Sequence, residues 1–154
     1  MLPSYVAMLQ PAEAERIGEQ LLDLVALALA AQGRREESPA LSAARAVALL
    51  QLRSAIEARL DDPSLDPETA AAAAGISVRY ANAILAEQGM SLQRLIVARR
   101  LERCRLDLEN PQRAHLTVSE IAYGWGFSDT SHFNRRFKAA FGCTPSECRR
   151  RSHD

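Results

Sequence analysis

In the stretch EIAYGWGFSDTSHFNRRFKAAFGCTP, residues 120–145, Thr130, Asn134 and Lys138 recur at intervals of four, with Ser131 and Arg135 beside them. At that spacing the five side chains share one side of a helix. Their chemistry is hydrogen bonding to edge-presented planar groups and to anionic oxygens. Arg pairs bidentately with guanine and Asn with adenine, Ser and Thr are more permissive, and Lys grips phosphate. Arg136 adds a further cation, and the same stretch holds the chain's one Trp and its four Phe. Catalytic chemistry is far less well represented. His115, His132 and His153 lie near Ser and acidic residues, but no nucleophile elbow, phosphate loop or metalloprotease helix accompanies them. Cys104, Cys143 and Cys148 form neither a CxxC pair nor an even framework. A zinc site at Cys143, Cys148 and a histidine would have atypical spacing. The expectation is reduced thiols, no metal, no cofactor and no enzyme.

The elements that must hold these residues can be read from caps and periodicity. Phe133, Phe137 and Phe141 recur every four residues and give the polar stripe a buried counterpart. Thr117 or Ser119 opens a helix running to Trp125, Gly126 turns the chain, and Ser128 or Asp129 caps the helix that ends at Phe141. The same order appears earlier. Asp66 caps DPETAAAAAG, with Pro67 at the first helical position, Gly75 turns, and Ser77 caps VRYANAILAEQ up to Gly89. Gly75-Ile76-Ser77 therefore returns 51 positions later as Gly126-Phe127-Ser128, and Gly89 returns 53 positions later as Gly142. Such an internal repeat of helix, glycine turn and capped helix predicts two helix-turn-helix units. Ser91 caps a connecting helix, LQRLIVARRLERCRLDLEN, stopped at Asn110-Pro111. Its apolar face is expected at Leu95, Ala98, Leu101, Arg105 and Leu108, with Arg99, Arg100 and Arg103 turned elsewhere. Upstream, PAEAERIGEQLLDLVALALAAQ predicts an amphipathic helix with Ile17, Leu21, Leu24, Ala28 and Leu29 on one face. A break at GRREESPAL follows, then a second helix, SAARAVALLQLRSAIEARL, stopped near Asp61-Asp62-Pro63.

A helix with one core side and one solvated side would show the same stripes. The repeat and the charge distribution argue for more. Net charge is zero, yet residues 1–62 carry 6 basic and 9 acidic side chains, against 12 and 7 from Ser91 onward. A basic half beside an acidic one suits a nucleic-acid-binding half. No run of about 18 apolar residues exists, and the acidic lead-in of residues 11–20 is wrong for a secretory signal, so a cytoplasmic protein without a membrane partner is expected.

From about Ala46 to Arg149 the chain resembles the AraC/XylS-type bacterial transcription regulators. The most specific part is IAYGWGFSDTSHFNRRFKAAFGCTPSECR, similar to that family's order of Ile-Ala, Gly-Phe-Ser, an aromatic followed by Arg-x-Phe-Lys, Phe-Gly and a closing Pro. The resemblance implies an all-α fold of about seven helices, two helix-turn-helix subdomains on a long linker helix, preceded here by an extra N-terminal helix. It also implies double-stranded promoter or operator DNA as partner, with RNA polymerase a further one. By likeness the base-facing positions are Thr130, Ser131, Asn134 and Arg135, with Lys138 toward phosphate, and Arg79, Asn82 and Ala83 in the first unit. Ala83 departs from the Arg, Gln or His common there, Ala81 and Leu85 replace bulkier residues, and Cys148 stands where Tyr is usual. The first unit is therefore expected to read less sequence than the second.

The expected division is 1–38, a helical segment and linker resembling the end of a sensing or dimerising domain, and 39–154, the DNA-binding domain. Within it the first helix-turn-helix spans about 66–89, the linker helix about 91–110 and the second unit about 117–142. The apolar face at Ile17, Leu21, Leu24 and Leu29 would pack either on residues 46–60 or on a second copy as a homodimer. The competing reading is a helical interaction module that pairs with a full-length regulator and binds DNA weakly.

Overall fold

The structure, a computed structural model, describes residues 39–153. Backbone contacts divide the chain into two segments, Met1–Arg45 and Ala46–Asp154, and both helix-turn-helix units lie in the second. The expected helix over Ile17 to Leu29 lies outside the described residues.

Seven α-helices and no strand are found among the described residues: α1 (Pro39–Glu57), α2 (Pro67–Ala73), α3 (Val78–Ala86), α4 (Leu92–Glu109), α5 (Val118–Gly124), α6 (Thr130–Phe141) and α7 (Pro145–His153). A 3-10 turn, Pro111–Arg113, follows α4, with Asn110 accepting from the Gln112 N–H at 3.0 Å. The caps explain the starts. Asp66 and Thr69 form a capping box on α2, and Thr117 and Glu120 form the equivalent on α5. Ser77, Ser91 and Asp129 accept the third backbone N–H of α3, α4 and α6.

The internal repeat is reproduced bond for bond at the turns. In the first unit the Gly75 N–H donates to the Ala72 carbonyl at 3.0 Å and Ile76 to Ala71 at 3.1 Å. In the second, Gly126 donates to Tyr123 at 3.0 Å and Phe127 to Ala122 at 3.1 Å. This is the paired closing pattern that left-handed residues make at helix ends, and Gly75 and Gly126 supply it with φ of 69° and 78°.

Two apolar clusters form on one long helix. Leu92, Leu95 and Ile96 of α4 join Leu52, Ile56, Ala70, Ala81 and Leu85 under the first unit. Leu101, Cys104 and Leu108 join Ile121, Ala122, Phe133 and Phe137 under the second. Serving two clusters changes the face of α4 from the expected one. Ala98 is exposed, while Arg100, expected to turn outward, is buried at 8% exposure. The stripe winds because the two units approach α4 from different sides. Arg99 and Arg103 are half-buried and both engage the Glu57 carboxylate, Arg103 at 2.8 Å, which ties α1 to α4. Trp125 is half-buried and packs against both clusters, its indole N–H donating to Asp107 Oδ2 at 2.8 Å.

Candidate nucleic-acid interface

α6 is anchored by aromatic packing. Phe133 and Phe137 are fully buried, and the ring centroids of Phe127, Phe133, Phe137 and Phe141 follow one another at 5.0, 5.5 and 4.7 Å. Tilted contacts at these distances favour one orientation of the helix over slippage. The opposite face is left to solvent. Ser131, Asn134, Arg135 and Lys138 are exposed, and Thr130, at the first helical position, is half-buried. The side chains of Asn134, Arg135 and Lys138 make neither hydrogen bond nor ion pair among the described residues, so their polar groups are available to an outside partner. Asp129 is occupied as the α6 cap. The His132 N–H at 2.7 Å holds its carboxyl below the usual carboxylate range, with the ring of His132 and the guanidinium of Arg135 helping.

Counted from the caps, the positions of α3 and α6 correspond one to one over the length of α3. Ala81 and Leu85 take the buried places of Phe133 and Phe137, and Arg79, Asn82 and Ala83 take those of Ser131, Asn134 and Arg135. Arg79 and Ala83 are exposed as expected. Asn82 differs. It is half-buried, and its Oδ1 accepts the Leu92 N–H at 2.9 Å, closing the start of α4. α3 has 9 residues and α4 begins soon after it, so the first free N–H of α4 comes within reach of Asn82. α6 has 12 residues, and the start of α7 is closed by its own box of Thr144 and Glu147. Six of the eight expected residues are thus exposed on two helices, while Thr130 and Asn82 are half-buried and Asn82 is engaged within the fold.

Arg136 is an eligible cation that the expected set omitted, exposed on α6 and without an ion pair among the described residues. Its signal was the crowding of cations in the second half of the stretch. Among the described residues no group of three or more His, Cys, Asp or Glu gathers as a metal site, and no helix is long and apolar enough to cross a membrane. The three thiols are buried. Burial pushes Cys104 up to about 12 and, with Glu109 3.6 Å away as hydrogen-bond acceptor, Cys148 up to about 11.

The arrangement offers two helices with outer faces open to solvent, polar on α6 and carrying Arg79 and Ala83 on α3, each preceded by a shorter helix and a glycine turn. A family model described as a helix-turn-helix domain matches residues 70–151. The chain belongs to the AraC-type helix-turn-helix family. The AraC-type domain is similar to the transcriptional activator RhrA of Rhizobium meliloti (strain 1021), 30% identical over 102 residues, covering 66% of this chain and 32% of that protein. It is similar also to the transcriptional activator NphR of a Rhodococcus species, 34% identical over 97 residues, covering 63% of this chain and 28% of that protein. A third relative is the HTH-type transcriptional regulator GlxA of Rhizobium meliloti (strain 1021), 36% identical over 106 residues, 68% of this chain and 32% of that protein. The chain spans about a third of the length of these relatives. No solved structure matches it.

Proposed function

We propose that this AraC-type chain is a sequence-specific double-stranded DNA-binding transcription regulator that places α3 and α6 in adjacent major grooves of one duplex. The observation that carries the reading is the unpartnered outer face of α6, where Asn134, Arg135 and Lys138 are exposed on a helix whose other face is locked by Phe133 and Phe137. In this reading Thr130, Ser131, Asn134 and Arg135 meet base edges and Lys138 meets phosphate, while Arg79 and Ala83 face the first groove. Asn82 acts from behind, by fixing the start of α4. The 18 residues of α4 make a strut of about 27 Å, commensurate with grooves roughly 34 Å apart. The role is binding and not catalysis, in the cytoplasm, with RNA polymerase as a further partner. In this reading residues 39–154 form the DNA-binding domain, and residues 1–38, outside the described ones, serve homodimerisation.

A second reading rests on α1, where Val47 and Leu50 remain 53% and 70% exposed. Apolar side chains left open in this way suit a module that pairs with another regulator and binds DNA weakly.

Selection from a random duplex pool, followed by a salt titration on the winner, separates the readings. Two enriched boxes about 10 base pairs apart, with affinity falling steeply in salt, support the two-groove regulator. One box alone would assign the reading to α6 only. No enrichment, with dimers or heterodimers in sedimentation, would replace it with the pairing module.

A further inference from the structure

The two glycine turns share hydrogen bonds and φ but not surroundings. A Cβ added at Gly75 would meet nothing within 4 Å. One added at Gly126 would fall 2.8 Å from Cζ and 2.9 Å from Nη2 of Arg100. The guanidinium of Arg100 therefore lies flat against the turn of the second unit. Its hydrogen bonds go to the segment that follows α1, where Leu60 packs in the cluster under the first unit: Nε donates to the Leu60 carbonyl at 3.1 Å and Nη2 to the Asp62 carbonyl at 2.6 Å. These carbonyls lie just beyond the C-terminal end of α1, where backbone acceptors lack helical partners and negative potential gathers. At 8% exposure, Arg100 is the buried charged residue among the described ones. It sits on α4 between Ile96, which belongs to the first cluster, and Leu101, which belongs to the second.

We propose that Arg100 is a positioning residue for DNA recognition, joining the Leu60–Asp62 turn beside the first unit to the Gly126 turn of the second and so fixing how α3 and α6 stand to each other. The inference rests on the two-groove reading. Each unit has its own buried cluster on α4, with Trp125 packed against both. What the joint supplies is geometry. Once one helix is seated, the second groove is reached within the same complex, and the gain is largest when the link holds the matching span. A planar fork with fixed donors suits this better than a flexible ammonium does. A loosened joint would lower two-box affinity, widen the tolerated spacing and leave each single box alone.

The test uses the full chain with spin labels at Ala86→Cys on α3 and Ala139→Cys on α6, both exposed positions. The buried native thiols leave labelling to these sites. Distance distributions are measured without DNA, and binding is measured on the selected two-box duplex, on each box alone, and on duplexes respaced by one base pair. Arg100→Met should broaden the distribution. It should also remove about tenfold or more of the two-box advantage, out of the two to four decades that linkage can supply, with single-box binding within about twofold of the parent. Arg100→Lys, which keeps the charge without the fork, should fall between the two and carries the test if Arg100→Met does not fold. An unchanged distribution with an unchanged two-box to one-box ratio overturns the proposal, as does an equal loss on all duplexes. A parent chain that shows no two-box preference overturns the two-groove reading instead, and the DNA-free distances then decide separately whether Arg100 sets the geometry.

Discussion

Asn82 and Asn134 occupy the same place counted from their helix caps, yet only Asn134 is free to meet a partner. Asn82 has its carbonyl oxygen on the Leu92 N–H at 2.9 Å. The two should therefore fail differently when truncated. Asn82→Ala removes a helix-start acceptor, and urea melting should show a loss of about 1 kcal/mol. Asn134→Ala should leave melting unchanged and cost about 1–3 kcal/mol on the selected duplex, with relaxed preference at one base pair. Arg135→Ala should behave like Asn134→Ala; equal losses on every sequence would remove either from the base-reading set. Lys138→Ala should weaken all duplexes alike and flatten the salt slope by about one unit, an outcome read by titration on unrelated DNA. Ala83, at the place of Arg135, offers only a methyl group, which leaves Arg79 as the charged outward residue expected in the first unit.

At the scale of elements, the glycine turns carry the contrast between repeat and context. Ala at either position must adopt a left-handed conformation, costing about 1–2 kcal/mol. Gly75→Ala should cost about that much and no more, because space is open there. Gly126→Ala should cost clearly more, since Arg100 stands 2.8 Å from the new Cβ and its guanidinium must leave two carbonyls to make room. Equal melting shifts for the two variants would mean that Arg100 yields without cost. The aromatic side of α6 is expected to dominate the second core. Phe133→Ala should destabilise by about 3–5 kcal/mol, read by chemical denaturation. Trp125 belongs to neither core alone; it is half-buried at the seam, held by Asp107 and faced by Arg103 at 5.9 Å from its ring centroid.

At the scale of the molecule, carboxylates couple the elements to pH. Glu57 is held below its usual range chiefly by the hydrogen bond from Arg99, against some burial, with Arg103 adding to it. The Ser64 hydroxyl, then Arg59, takes Asp62 down to about 2. Glu102 is lowered by Arg105, and Asp66, Glu120, Asp129 and Glu147 by the backbone N–H groups they cap. Each has a folded value below its unfolded one, so the stability it lends is present above the ordinary carboxylate range and is lost as pH falls through the folded value, which for Asp62 is about 2. The melting temperature should be flat with respect to these groups above that range and drop through it. A thermal scan across pH 6 to 2.5 checks this, and an unaltered midpoint at pH 3 would contradict the assigned pairings. Asp66, Glu120 and Asp129 are exposed and the other four half-buried, so the drop should also shrink in high salt.

The sequence alone determined what is local. Caps at Asp66, Ser77, Ser91 and Thr117, the turns at Gly75 and Gly126, and the Phe133–Phe137–Phe141 spacing all follow from bonds and contacts a few residues apart, and their residue types state the conformation they need. The duplicated order of these signals, with the signature from Ile121 to Arg149, was enough to identify the fold and family. Tertiary structure decided what depends on neighbours distant in sequence. Arg100 looked like a surface cation on α4, and only the approach of Leu60, Asp62 and Gly126 made it a buried fork with its donors satisfied. Ala98 looked like core, and only the division of α4 between two clusters exposed it. Asn82 looked equivalent to Asn134 until the position of Leu92 supplied a donor. A side chain's partners are set by chain segments that no local pattern encodes, because burial and hydrogen bonding are properties of the packed neighbourhood and not of the residue.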